Sequence, residues 1–161
     1  MAQRPMALLV LMLMALVSVS AWAEKKTITY TTKTGPVLSR TVTNPGTRAE
    51  HELVQQVRQD MTSSSDPDWD GTVTTNSSQS DLTAGSGTVA GYAVRAHKNG
   101  DQTFYKFQGK TAAVGEGASR ATTGEGKVEL IGGTGKFANA RGSGTYSFAK
   151  GQSTIKLDLE Y

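Results

Sequence analysis

From Ser153 to Tyr161 the chain alternates without a break: Ile155, Leu157, Leu159 and Tyr161 are apolar, while Thr154, Lys156, Asp158 and Glu160 are polar. Period two over this length predicts a β-strand with one buried and one wet face. So regular a final strand is expected to close a sheet by pairing with an early one. Residues 140–148 and 127–131 read as strands flanking a glycine turn. Residues 87–98 and 102–111 form a predicted hairpin, because Asn99-Gly100 is the strongest short hairpin signal. Residues 27–33 and 37–43 are β-rich runs split by Gly35-Pro36, and Asn44-Pro45-Gly46 supplies another turn. Residues 72–79 are a polar, Thr/Ser-rich strand expected at a rim or edge.

Residues 50–61 fit two periods. Leu53, Val57 and Met61 stand four apart, as on a helix face, yet they also share one strand parity. A strand is favoured, since no other segment reads as helix. Eight or nine short strands joined by turns are the pattern of an up-and-down barrel or a sandwich. An eight-stranded barrel has an interior just wide enough for side chains or one small ligand.

The first 23 residues change the picture of the compartment. Arg4 makes a short basic region, residues 6–19 are apolar apart from Ser18, and Ala21-Trp22-Ala23 fits the small-x-small cleavage rule. The apolar run falls short of the roughly 20 residues a spanning helix needs. Residues 1–23 are therefore read as a signal peptide and residues 24–161 as one exported domain, in a bacterial periplasm or secreted, with no membrane span after cleavage. The chain has no cysteine, so neither disulfides nor thiolate chemistry is available to it. Lys+Arg 17 against Asp+Glu 14, without a basic run beyond Lys25-Lys26, is no footprint for nucleic acid.

All 18 glycines follow the leader, at about twice the usual share of roughly 7%. In a barrel such glycine marks bends and close backbone approach. Eleven of the glycines fall between Gly109 and Gly151, a span that includes Gly132-Gly133-Thr134-Gly135-Lys136-Phe137-Ala138-Asn139-Ala140-Arg141-Gly142. This stretch resembles the GGTG-x-F-x-x-A-R-G signature of the allene oxide cyclase and dirigent β-barrels. Residues 85–92 and 99–104 also look like exported bacterial proteins of that barrel type. The resemblance implies an antiparallel eight-stranded barrel. It also suggests homo-oligomers, since relatives often pack as dimers or trimers. Allene oxide cyclases convert a reactive fatty-acid epoxide to a cyclopentenone, and dirigent proteins hold phenoxy radicals for stereospecific coupling. The matched positions Gly132, Gly133, Gly135, Phe137, Arg141 and Gly142 shape a turn and a strand, so no catalytic residue carries over.

Candidate chemistry is sparse. Gly132–Lys136 is not a phosphate loop, because Phe137 stands where Ser/Thr is required. Asp66, Asp68 and Asp70 before Gly71 match the first half of a calcium loop, although Ser77 replaces the bidentate glutamate. Ca²⁺ is thus the one cofactor to consider, and the competing reading is a polar turn with Trp69 covering the barrel end. His51 and His97 have no partners at ligand spacing, and His97, beside Lys98 and the turn, is expected to be exposed. No G-x-S-x-G elbow is present.

Strand parity leaves the inward faces open. Tyr92 and Arg95 lie on one predicted strand, and Phe104, Tyr105 and Lys106 on the next. Either parity lines the interior with an aromatic and a basic group, which suits an apolar ligand with an anionic or phenolic end. Glu129, Arg141 and Tyr146 complete the candidate lining, with Glu129 and Arg141 also eligible as a cross-strand ion pair. The sequence therefore points to an exported all-β barrel that binds or scaffolds a small apolar molecule. A confinement-type cyclase or isomerase is one alternative, and a structural or protein-interaction barrel with a filled interior is another.

Overall fold

A computed structural model describes residues 25–161; the predicted leader, residues 1–23, lies outside them. The described chain is a ring of eight antiparallel strands, each bonded to its sequence neighbours, with the last closing on the first. They are β1 (Lys25–Thr43), β2 (His51–Ser64), β3 (Val73–Thr83), β4 (Ser86–Ala96), β5 (Gln102–Val114), β6 (Ala121–Gly133), β7 (Arg141–Ala149) and β8 (Gln152–Glu160). The alternating C-terminal strand does what its pattern demands. β8 pairs with β1 from Lys25↔Glu160 to Lys33↔Gln152, and Ile155, Leu157 and Leu159 are buried. Among the described residues no helix is long and apolar enough to cross a membrane.

Two elements differ from expectation. Gly35-Pro36 does not end a strand: β1 runs through it, and the register against β2 shifts between Thr34 and Val37 and again before Ser39. A proline without an N–H and a glycine are accommodated by a bulge as well as by a turn. Here the Gly35 N–H is satisfied by the Asp60 carboxylate at 3.2 Å. The two early runs are therefore one strand, and the ring has eight members. Secondly, the polar residues 72–79 are no edge. Residues 73–79 belong to β3, bonded on both sides, with Thr74, Asn76 and Ser78 turned into the lumen and Ser77 and Gln79 outward.

β2 is a strand, but Leu53, Val57 and Met61 lie on its outer face. The inward parity is Val54, Gln56, Arg58, Asp60 and Thr62. At one end, the loops 65–72, 97–101 and 134–140 bring Trp69, His97 and Phe137 together. Trp69 stacks on Tyr30 (5.8 Å between centroids), Phe137 stacks on His97 (4.4 Å), and Tyr161 packs on Phe137 (5.3 Å). Tyr30, Trp69 and Phe137 belong with Ile28, Leu130, Ala140, Leu157 and Leu159 to the buried core, against which Tyr161 packs. The Gly132–Gly135 turn fastens this end. Thr134 exchanges two bonds with the Gln102 backbone (2.8 and 2.9 Å), and the Lys136 N–H donates to the Asp101 carboxylate at 3.2 Å. Phe137 is thereby dropped into the core, fully buried.

Candidate functional site: a one-ended lumen

The barrel interior is packed at the Trp69 end and open toward the other. A cavity of about 510 Å³ runs from there to the rim at Arg40, Glu52, Leu82 and Gly85. Its two walls differ in chemistry. β2 and β3 contribute mainly polar groups, Gln56, Arg58, Asp60, Thr74, Asn76, Ser78 and Ser80, whereas β4–β8 contribute most of the apolar and aromatic ones, Ala93, Phe107, Val128, Tyr146, Phe148 and Ile155, together with Lys110, Thr111, Thr122 and Ser153. The apolar wall is made by glycine. Gly109 and Gly126 are register partners, and Gly126 also faces Tyr146. A Cβ on Gly126 would stand 2.6 Å from a ring carbon of Tyr146 and 2.7 Å from the Gly109 Cα. The Tyr146 ring carbon and hydroxyl occupy the space that side chains at Gly126 and Gly109 would need.

Arg95 and Tyr105 form the inner end of the cavity. Arg95 is 2% exposed, and its guanidinium lies 4.3 Å from the Tyr30 ring centroid, 4.8 Å from that of Trp69 and 5.5 Å from that of Tyr105. Its Nε donates to Thr74 Oγ1 at 3.2 Å, while Nη1 is buried without a hydrogen-bond partner. The other buried charge on the wall is already answered. Asp60 accepts from Arg58 Nε (3.2 Å), Asn76 Nδ2 (2.8 Å) and the Gly35 N–H. The Tyr146 hydroxyl, also on the wall, is buried and unpartnered, and burial raises its pKa against the opposing Arg58 charge.

Behind Tyr105 runs a relay whose polarity follows from donor chemistry. His97 Nδ1 must donate to the Asp68 carbonyl (2.8 Å), since a carbonyl only accepts. In the neutral ring Nε2 then accepts from Thr103 Oγ1 (2.9 Å), which accepts from the Tyr105 hydroxyl (3.0 Å). Burial, aided by the Arg95 and Lys136 charges, holds His97 below its ordinary 6.5, against the raising effect of the Asp68 carbonyl bond. Burial also drives the Tyr105 pKa upward. Both groups are therefore neutral at pH 7. His97 is not exposed as its sequence context suggests, because the 65–72 loop folds over it.

Of the candidate lining residues, Arg95, Tyr105 and Tyr146 reach the cavity. Tyr92, Phe104 and Lys106 do not, because the inward parities are odd on both β4 and β5; Tyr92 is 63% exposed. Glu129 and Arg141 also face outward and make no ion pair with each other. Glu129 binds Lys106 at 3.0 Å, and Arg141 Nη1 donates to the Ala140 carbonyl. Both border a groove on the outer wall beside Lys25 and Glu160. The residues missed were polar ones on β2 and β3, chiefly Arg58, Asp60 and Asn76. Their alternate spacing on two polar strands is the signal that could have found them.

The aspartate loop is not a metal cage. Asp66 caps the turn by accepting from the Asp68 N–H (3.0 Å) and pairs with Lys26 (2.5 Å), Asp68 pairs with Lys136 (2.6 Å), and Asp70 accepts from the Ser64 N–H (3.1 Å). The carboxylates are directed to separate partners, and among the described residues no group of three or more His, Cys, Asp or Glu could hold a metal ion. The turn reading, with Trp69 covering the barrel end, describes the observed loop. His51, at the rim, binds Asp81 through Nε2 (2.7 Å) and Thr47 through Nδ1.

No family model matches the chain, and no curated protein matches it. Three solved structures with a similar course of chain are of proteins of unknown function. One, a DUF3224 family protein from Shewanella oneidensis, is 14% identical, with 85% of this chain and 96% of that one covered and a TM-score of 0.46. A conserved protein from Rhodopseudomonas palustris is 8% identical, covering 86% and 98%, at 0.46. A Clostridium acetobutylicum protein is 9% identical, covering 86% and 97%, at 0.41.

Proposed function

We propose that the protein binds a small amphipathic molecule, mainly apolar, in the barrel lumen. The observation that carries this reading is the 510 Å³ cavity, which lies within the roughly 300–1,000 Å³ of small-molecule sites. One wall is aromatic and the other polar, and buried Arg95 and Tyr146 atoms lack partners. Buried polar atoms left unpaired cost free energy, so a guest with matching groups gains what the empty wall lacks. The test is titration with the neutral fluorophore N-phenyl-1-naphthylamine. The wild type and the outer-wall variant Tyr92→Ala should bind it with enhanced emission. Ala93→Phe, which fills the lumen, should abolish binding. Equal binding by Ala93→Phe would place the probe elsewhere and refute the proposal.

A confinement-type cyclase or isomerase, as in the allene oxide cyclase and dirigent barrels, is the second reading. The Tyr105–Thr103–His97 relay favours it, since it would let a proton leave or reach the lumen floor. Export through the 1–23 leader belongs to the same proposal, and the native protein should begin at Glu24 on N-terminal sequencing. Self-association is proposed from the outer wall of β2–β5. There Met61 faces Val73 and Val94 faces Phe104 across the ladders, beside exposed Tyr92.

A further inference from the structure

We propose that Arg95 is the anchor of a carboxylate head group, so that the guest is an amphipathic monocarboxylate entering head first; this rests on the lumen-binding reading above. Arginine cannot shed its charge on burial, and a buried cation without a counter-ion is costly. Among the described residues Arg95 has no ion pair, and its one hydrogen bond, to Thr74, leaves Nη1 unpartnered. Contacts with Tyr30, Trp69 and Tyr105 offset part of that cost. They also fix the guanidinium plane, but they supply no acceptor. The guanidinium is therefore held in place while Nη1 remains a donor without a protein acceptor.

Its chemistry follows from the charges around it. Asp60 neutralises Arg58, Asp68 neutralises Lys136, and His97 sits behind Thr103 rather than in the cavity. One uncompensated positive charge remains at the inner end, which matches a monoanion better than a phosphate dianion. A planar fork favours the planar, two-oxygen carboxylate. Tyr105 can rotate its hydroxyl toward the same head group, because Thr103 keeps His97 as its partner. Beyond the head, Ala93, Val128, Ile155, Phe107 and Phe148 offer an apolar path to the rim.

The experiment compares dodecanoate with dodecan-1-ol as competitors of N-phenyl-1-naphthylamine in wild type, Arg95→Met and Arg95→Lys. The wild type should prefer the carboxylate by about tenfold or more, the scale of a charged hydrogen bond. Arg95→Met should lose that preference while binding the alcohol within about twofold of wild type. Arg95→Lys should fall between them, and should Arg95→Met not fold, this variant and the wild-type preference decide. A wild type that binds both alike, or an Arg95→Met that still prefers the carboxylate, overturns the anchor. If the fluorophore and the alcohol bind but the carboxylate gains nothing, the anchor alone fails. If neither fluorophore nor competitor binds, the lumen reading fails with it.

Discussion

Individual residues at the closed end carry the most testable energetics. Trp69 is fully buried between Tyr30, His97 and Phe137. Trp69→Ala should therefore cost about 3–5 kcal/mol in urea unfolding, whereas an exposed indole would cost little. His97 gives a pH dependence of definite sign. Its native pKa is depressed below 6.5, chiefly by burial, so below that pH the unfolded chain binds more protons than the native one. Stability held in full above pH 6.5 should then decline as pH falls toward the lower native pKa. In His97→Gln the urea midpoint should change less between pH 7.5 and 5.5 than in wild type; an equal change would show that other groups carry the effect. Pairing of Asp66, Asp68 and Asp70 with separate partners predicts that millimolar Ca²⁺ and a chelator give the same melting temperature. A rise with Ca²⁺ would mean that the loop opens to coordinate it.

At the scale of elements, the glycines decide where rings can lie. Gly126→Ala should destabilise by about 1–3 kcal/mol. Removing the ring as well, in Gly126→Ala/Tyr146→Ala, should not restore stability, because the added Cβ also meets the β5 backbone. Full rescue would show that only the ring is in the way. Strand content was legible where period two was strict, as in β8, and where Asn99-Gly100 marked a turn. It was misread at Gly35-Pro36, since a bulge and a turn draw on the same residues. On β3 the strand was read correctly and only its place at a rim or edge was not, since a polar strand looks alike whether its inner face meets solvent or a polar lumen. Parity was the decisive unknown. Alternation states that faces differ, but on β4 and β5 both faces hold an aromatic or a basic group. Only closure of the ring separates Arg95 and Tyr105 inside from Tyr92, Phe104 and Lys106 outside.

For the whole molecule, one end is stapled by an aromatic cluster and the other left open, giving a cup in place of a solid barrel. Ring closure without disulfides places the burden on β1–β8 pairing, which leaves no free edge along Lys25–Lys33. The outer apolar diagonal should make the protein associate; Met61→Lys/Val94→Lys should sediment as a smaller species than wild type, and identical sedimentation would remove that role. The polarity of the cup can be read directly through Trp69, beside Arg95 at its floor. In a chain carrying Trp22→Phe, Trp69 is the sole tryptophan, and its emission can be titrated with two brominated dodecanoates. Bromine next to the carboxylate should quench Trp69 strongly on saturation, and bromine at the far end of the tail only weakly. Equal quenching, stronger quenching from the tail, or none at all would contradict a guest seated head first on Arg95.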